Sequence, residues 1–183
     1  MKILGISGSP VKNGNNEKAI DYALARAKEK GFNIEKVTLA KQDIKSCIAC
    51  DTCKEKKGKC SIKDAMESIR PKLAQADAII ISSPVYFGSI SSQLKALFDR
   101  TLTLRRNNLQ LKNKIGAAIA VGRSRNGGQE FTIQTIHSFM HIQGMIVVGD
   151  NTHCGGTIVT PFEEDKIGKK TVEKAKKFIK MTS

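Results

Sequence analysis

Four of the five cysteines fall in one fourteen-residue run, Cys47-Ile-Ala-Cys50-Asp-Thr-Cys53-Lys-Glu-Lys-Lys-Gly-Lys-Cys60. The C-x2-C-x2-C-x6-C spacing brings three thiolates round one point and lets a lysine-rich loop return the fourth. Four soft ligands on a short wrapping backbone suit one self-contained [4Fe-4S] cluster. The bacterial ferredoxin run starts with the same three cysteines, but its fourth comes sooner, precedes proline and serves another cluster. This sequence has no second set, and Ser61 follows Cys60. Structural zinc and disulfides or free thiols stand as the other readings. Zinc usually takes two separated C-x2-C knuckles, and disulfides sit poorly in a chain without a signal peptide. The four cysteines read as ligands, not nucleophiles.

A second chemistry is written in three loops. Ser7-Gly-Ser9-Pro10-Val11-Lys12-Asn13-Gly14-Asn15-Asn16 lacks the third glycine of a dinucleotide fingerprint and the Gly-Lys-Ser/Thr of a Walker A loop. Its hydroxyls, amides and flexible Gly14, just before a predicted helix, make a cradle for one phosphate; an ordinary turn with Asn15 as N-cap is the plainer alternative. Pro84-Val85-Tyr86-Phe87-Gly88-Ser89 and Gly122 to Glu130, with Gly127 and Gly128, form two further loops. One phosphate loop and one aromatic loop at the same sheet edge describe a flat phosphorylated cofactor. Flavin mononucleotide (FMN) fits, with its phosphate on the first loop and its ring edge against the other two, where backbone donors favour the anionic reduced ring. Core packing suits Tyr86 and Phe87 equally. Cys154 beside His153 is a weaker redox candidate, and His137 with His141, one helical turn apart, lack a third ligand.

The elements that position these loops alternate. Strands are predicted at Lys2–Ile6, Asn33–Leu39, Asp77–Ser82, Ile115–Val121 and Met145–Val148. Helices are predicted at Asn15–Lys30, Ser61–Ala74, Gln93–Leu104, Gln129–His141 and Glu163–Met181, from their apolar periodicity. A long loop is expected from Gly149 to Pro161, and its Asn151–Thr160 part could cover a substrate above the ring. Apolar strands alternating with helices give an α/β fold: a doubly wound, five-stranded parallel sheet of flavodoxin-like order 2-1-3-4-5, with ligands outside the carboxyl ends of the strands. Residues 1–183 read as one domain, with 41–63 a cysteine-rich, cluster-binding insertion after strand 2.

Net charge is +14. Two tyrosines, no tryptophan and no interleaved aromatic–arginine run speak against a nucleic-acid surface, and the flavin loops speak against a zinc-stapled nucleic-acid module. Seven lysines from Lys41 to Lys63 surround the cysteines, which favours docking of an acidic electron carrier. No apolar run reaches membrane length and no targeting peptide is visible, so a cytoplasmic protein is expected.

Ser7-Gly-Ser-Pro10 with Gly14-Asn15, Pro84 to Gly88, and Gly127-Gly-Gln-Glu130 resemble the NADPH-dependent FMN reductase family. With Cys47, Cys50, Cys53 and Cys60 added, the chain resembles the archaeal and anaerobic iron–sulfur flavoproteins. The resemblance spans nearly the whole chain. It implies FMN and a [4Fe-4S] cluster per subunit, assembly into dimers or tetramers, and a cluster approaching flavin near a subunit interface. It also implies that Ser7, Ser9, Asn15 and Asn16 hold the phosphate, with Pro84 to Ser89 along the ring. The chain departs from the family at Val11, where arginine is frequent, and at Asn16, where a hydroxyl residue is; Lys12 is the substitute positive charge. The function expected is electron transfer between a one-electron carrier such as ferredoxin and FMN or a two-electron acceptor. The alternative is an NAD(P)H-dependent reductase of FMN, quinone, oxygen or peroxide.

Overall fold

The structure, a computed structural model, describes residues 1–150 and 153–174. The elements run β1 (Lys2–Ser7), α1 (Asn15–Glu29), β2 (Asn33–Thr38), α2 (Thr52–Glu55), α3 (Met66–Gln75), β3 (Ala78–Pro84), α4 (Ser92–Arg100), α5 (Leu102–Arg106), β4 (Ile115–Gly122), α6 (Gln129–Ile142), β5 (Ile146–Val147), β6 (Gly156–Val159) and α7 (Lys166–Lys174). All strands are parallel, in the order β2-β1-β3-β4-β5, with β6 also on β4.

Alternation along β1 splits the core into two layers. Leu4 and Ile6 join Leu73, Leu94, Leu97 and Ile136 on one face, while Ile3 joins Ile20 and Leu24 on the other. Gly5 lets α1 approach closely: a Cβ there would lie 2.6 Å from Ile20 Cγ2. The registers Ser7↔Ser82 and Pro84↔Val121 end the central strands level. The loops after β1, β3 and β4 therefore leave from one edge, as the order 2-1-3-4-5 requires.

Where the elements differ from expectation, a local interaction explains it. The fifth sheet position is built from two segments. β5 pairs with Ile115 and Gly116, and β6 pairs with Ile119 to Gly122. The span expected as one loop from Gly149 to Pro161 thus contains a strand, and residues 156–159 belong to the sheet rather than to a cover over the ring. Asn151 and Thr152 lie outside the described residues. The helix expected from Ser61 begins at Met66, because the Asp64 carboxylate takes the Met66 N–H (3.0 Å) and ties it to other partners. The helix expected over Gln93–Leu104 breaks at Thr101, whose hydroxyl donates to Phe98 O (2.6 Å) and accepts from Gln143 Nε2 (2.9 Å). The last helix starts at Lys166, with Asp165 accepting from Gly168 N–H (2.9 Å) at its start; its expected part beyond Lys174 lies outside the described residues. No helix among the described residues is long and apolar enough to cross a membrane.

Leu94 is fully buried and its side chain fills the space beneath Gly8. Leu94→Ala should leave a cavity under the first loop and lower stability by about 2–5 kcal/mol, read as a lower urea midpoint.

Candidate cluster and cofactor sites

The cysteine run folds into a ring by leaving the right-handed backbone region repeatedly. Ala49 (φ 51°) and Asp51 (φ 54°) flank Cys50, and Lys57 (φ 46°) and Gly58 (φ 82°) reverse the chain before Cys60. Between them α2 is a single turn that carries Cys53. Cys47, Cys50, Cys53 and Cys60 are free thiols that line one small cavity of about 30 Å³. Cys50 Sγ lies 3.2 Å from Ser61 Oγ and 3.3 Å from Thr52 Oγ1. Those hydroxyls, Ser61 first, draw its pKa down to about 7, whereas burial pushes the Cys53 thiol up. Among the described residues no three Cys, His, Asp or Glu side chains close on a single ion. An all-thiol donor set is the one an iron–sulfur cluster takes, and Cys47, Cys50, Cys53 and Cys60 would supply it.

The ring is tied down at both ends. Arg100, at the end of α4, donates to Asp64 Oδ2 (2.6 Å), Asp64 Oδ1 (3.1 Å), Lys45 O (2.7 Å) and Ile62 O (3.3 Å). Asp64 also accepts from Lys45 N–H (2.9 Å). The residues just before Cys47 and just after Cys60 are thereby clamped on one guanidinium. Burial would raise the Asp64 pKa, but the Arg100 pairing and two backbone N–H donors hold it below the usual aspartate range. Midway round, Gly58 packs on α5 so closely that a Cβ would lie 2.5 Å from Thr103 O.

The second site is a cleft of about 370 Å³ at the carboxyl edge of the sheet, within the range of small-ligand pockets. Of the residues expected there, Ser9, Asn15, Asn16, Pro84, Val85, Tyr86 and Gly122 line it. Val11, Gly14, Val121, Arg123 and Thr160 line it as well. The N-terminus of α1 opens on this cleft at Gly14 and Asn15, with no side chain capping it. Ser9 Oγ accepts from Val11 N–H (3.1 Å), Asn15 Oδ1 from Phe162 N–H (3.0 Å) and Asn16 Oδ1 from the Ser82 hydroxyl (2.6 Å). Ser7 Oγ is buried without a partner. Ser7 does not line the cleft; the uncapped terminus of α1, with Ser9 beside it on the cleft wall, fits a phosphate. Glu17 does not oppose one strongly, since its carboxylate is occupied by Asn13 N–H (2.8 Å) and Lys36 (3.0 Å).

Other expected residues sit around rather than on the cleft wall. Tyr86 and Ser89 pair in a tight turn with Phe87 and Gly88 at its corner, both at positive φ, and Phe87 is wholly exposed rather than in the core. Gly128 abuts that turn: a Cβ on it would lie 2.8 Å from Gly88 Cα. Gly127 N–H donates to Gln129 Oε1 (2.9 Å), and Gln129 Nε2 donates to Ser124 O (2.6 Å), so a buried glutamine staples the loop. Pro10 is half-buried and Lys12 exposed. Cys154 is exposed in the turn before β6, and His153 pairs with Asp150. His137 is partly buried, which with His141 nearby lowers its pKa.

Helix α4 connects the two sites. At its start the Ser91 hydroxyl donates to Gly8 O (2.5 Å) in the first loop, and Ser91 N–H donates to Ser83 Oγ (3.1 Å) in the third strand. At its end stands Arg100.

The model of the NADPH-dependent FMN reductase family matches residues 1–156. An iron–sulfur flavoprotein of Methanosarcina thermophila is 55% identical over 178 residues, covering 97% of this chain and 93% of the relative. One of Methanocaldococcus jannaschii is 52% identical over 160 residues, covering 86% and 82%. Among solved structures, an NADH:FMN oxidoreductase in its apo form superposes with a TM-score of 0.72 at 21% identity, covering 97% of this chain and 87% of that one. A flavodoxin from the domain Archaea superposes at 0.60 and 17% identity, covering 97% and 98%. The two structural likenesses show a common flavodoxin-like fold. With that family model over residues 1–156 and relatives of 55% and 52% identity spanning most of its length, the chain belongs to the iron–sulfur flavoproteins of the NADPH-dependent FMN reductase family.

Proposed function

We propose that this chain is an electron-transfer flavoprotein that holds FMN in the edge cleft and a [4Fe-4S] cluster on Cys47, Cys50, Cys53 and Cys60. The carrying observation is that one helix, α4, is bonded to the first cofactor loop at Ser91 and to the cysteine ring at Arg100. When bound, the cluster supplies one-electron exchange and the flavin one- or two-electron exchange. The chain's own residues do the holding. Ser7, Ser9, Asn15 and Asn16 with the α1 terminus receive the phosphate, and Lys12 offsets its charge. Pro84 to Ser89 lie along the ring, and Gly122, Gly127 and Gly128 let backbone approach it. The Ser61 and Thr52 hydroxyls solvate Cys50 when it is a ligand.

The partners follow from the surface. Lys54, Lys56, Lys57 and Lys59 are exposed on the loop that closes the ring, a landing site for an acidic ferredoxin-like carrier. A mostly apolar groove of about 540 Å³, lined in part by Cys47, Phe98, Phe139 and Ile142, adjoins the ring. Burial of this groove between copies gives a dimer or tetramer. Direct reduction by NAD(P)H is the second reading. It draws on the family description and on the exposed Tyr86 at the cleft mouth.

Protein purified without oxygen should carry one FMN and about four irons per chain; colourless, iron-free protein would sink the reading. Cys60→Ser should lose the iron and keep the flavin. Riboflavin, which lacks the phosphate, should bind about tenfold or more weakly than FMN in a fluorescence titration, because charge-assisted hydrogen bonds contribute about 1.5–3 kcal/mol. Reversing Lys56, Lys57 and Lys59 to glutamate should slow reduction by an acidic ferredoxin about tenfold or more at low salt without altering iron content. In stopped flow, flavin bleaching by NAD(P)H at a rate matching the ferredoxin reaction would instead favour the reductase reading.

A further inference from the structure

The clamp leaves one strong donor near the thiols without a partner, the Nε–H of Arg100. Arg100 is 2% exposed. Its two terminal nitrogens are satisfied by Asp64, Lys45 O and Ile62 O, but its buried Nε–H has no hydrogen-bond partner. A charged donor left unsatisfied in the interior carries a desolvation penalty and calls for an explanation. Arg100 lines the cavity of the four cysteines, and Asp64 does not. The buried ion pair is therefore oriented, with its carboxylate on the far side and its cation on the sulfur side. Cys60 lines the same cavity as Arg100, and a thiolate there attracts the guanidinium charge. Two other carboxylates line the cavity. Asp99 is held by Lys95 at 2.6 Å and Asp51 by Arg106 at 3.5 Å, and both are largely exposed, so solvent screens them.

The geometry points to Arg100 as the residue that sets the reduction potential of the cluster, its Nε–H donating to Cys60 Sγ and its buried charge favouring the reduced, more negative state. Hydrogen bonds to ligand sulfurs and local charge are the protein's means of moving such potentials, and a fixed charge acts most strongly where water does not screen it. This rests on the cluster reading above. The rival is that Arg100 only clamps the two ends of the insertion. The two roles differ in sign. Arg100→Gln removes the cation, so the cluster becomes harder to reduce. Asp64→Asn keeps the shape and removes the opposing carboxylate, so the cluster becomes easier to reduce. Loosening a clamp from either side would instead move both variants the same way, or neither.

The test is a redox titration of the holoprotein, followed by the EPR signal of the reduced cluster, with iron assayed in each sample. Arg100→Gln should shift the reduction equilibrium at least tenfold toward the oxidised state, which is 59 mV for a one-electron couple. Asp64→Asn should shift it the opposite way, and Arg100→Lys, with its charge kept and its Nε–H lost, should fall between wild type and Arg100→Gln. Should Arg100→Gln fail to retain iron, Arg100→Lys and Asp64→Asn decide by the same opposition of sign. Unchanged potentials, or shifts in one direction, at wild-type iron content overturn the assignment. Wild-type protein without iron would instead remove the cluster reading, and this inference with it.

Discussion

A guanidinium cannot be taken out of water unless its charge and its donors are answered. Arg100 is answered from both sides of the cysteine run at once: Lys45 O before it, Ile62 O and the Asp64 carboxylate after it. That single constraint closes the insertion into a loop. It also fixes the loop to α4 and places the thiols beside the helix end. The left-handed residues Ala49, Asp51, Lys57 and Gly58 can then turn the sulfurs inward within a loop whose ends are already joined. Strain of this kind persists only where the surroundings over-determine it.

The same helix carries the constraint to the other site. Ser91 grips Gly8 and Ser83, so the first two cofactor loops and the cysteine ring hang from opposite ends of nine residues. At 1.5 Å per residue the two anchor points stand roughly 13 Å apart. The sheet provides the rigid edge, its three central strands ending level, and the helix provides the spacing. One helix and one sheet edge thus serve both the edge cleft and the cysteine ring.

Much of this was legible in the residues, for physical reasons. The apolar β3 and β4 cannot be surface segments, so the strand order and the edge loops follow from the sequence, and the cysteine spacing marks the run that lines a single cavity. What escaped reading was mostly long-range. Nothing local marks Arg100 as buried, since its partner Asp64 lies 36 positions away, and a lone arginine on a helix ordinarily faces water. The strand Gly156–Val159 was hidden behind the glycine pair at 155 and 156, though its Thr-Ile-Val content favours a strand. Thr160 reached the cleft only because β6 joined β4. Phe87 was legible as aromatic but not as exposed, because the turn that carries it outward is set by positive backbone angles at Phe87 and Gly88.

The central claim, two redox centres held at the two ends of α4, is tested most directly by an anaerobic crystal structure with anomalous scattering recorded at the iron edge. The expected result is one compact iron peak enclosed by Cys47, Cys50, Cys53 and Cys60, and phosphate density against the N-terminus of α1. Iron bound elsewhere, or a flavin lying away from the loops after β1, β3 and β4, would contradict it.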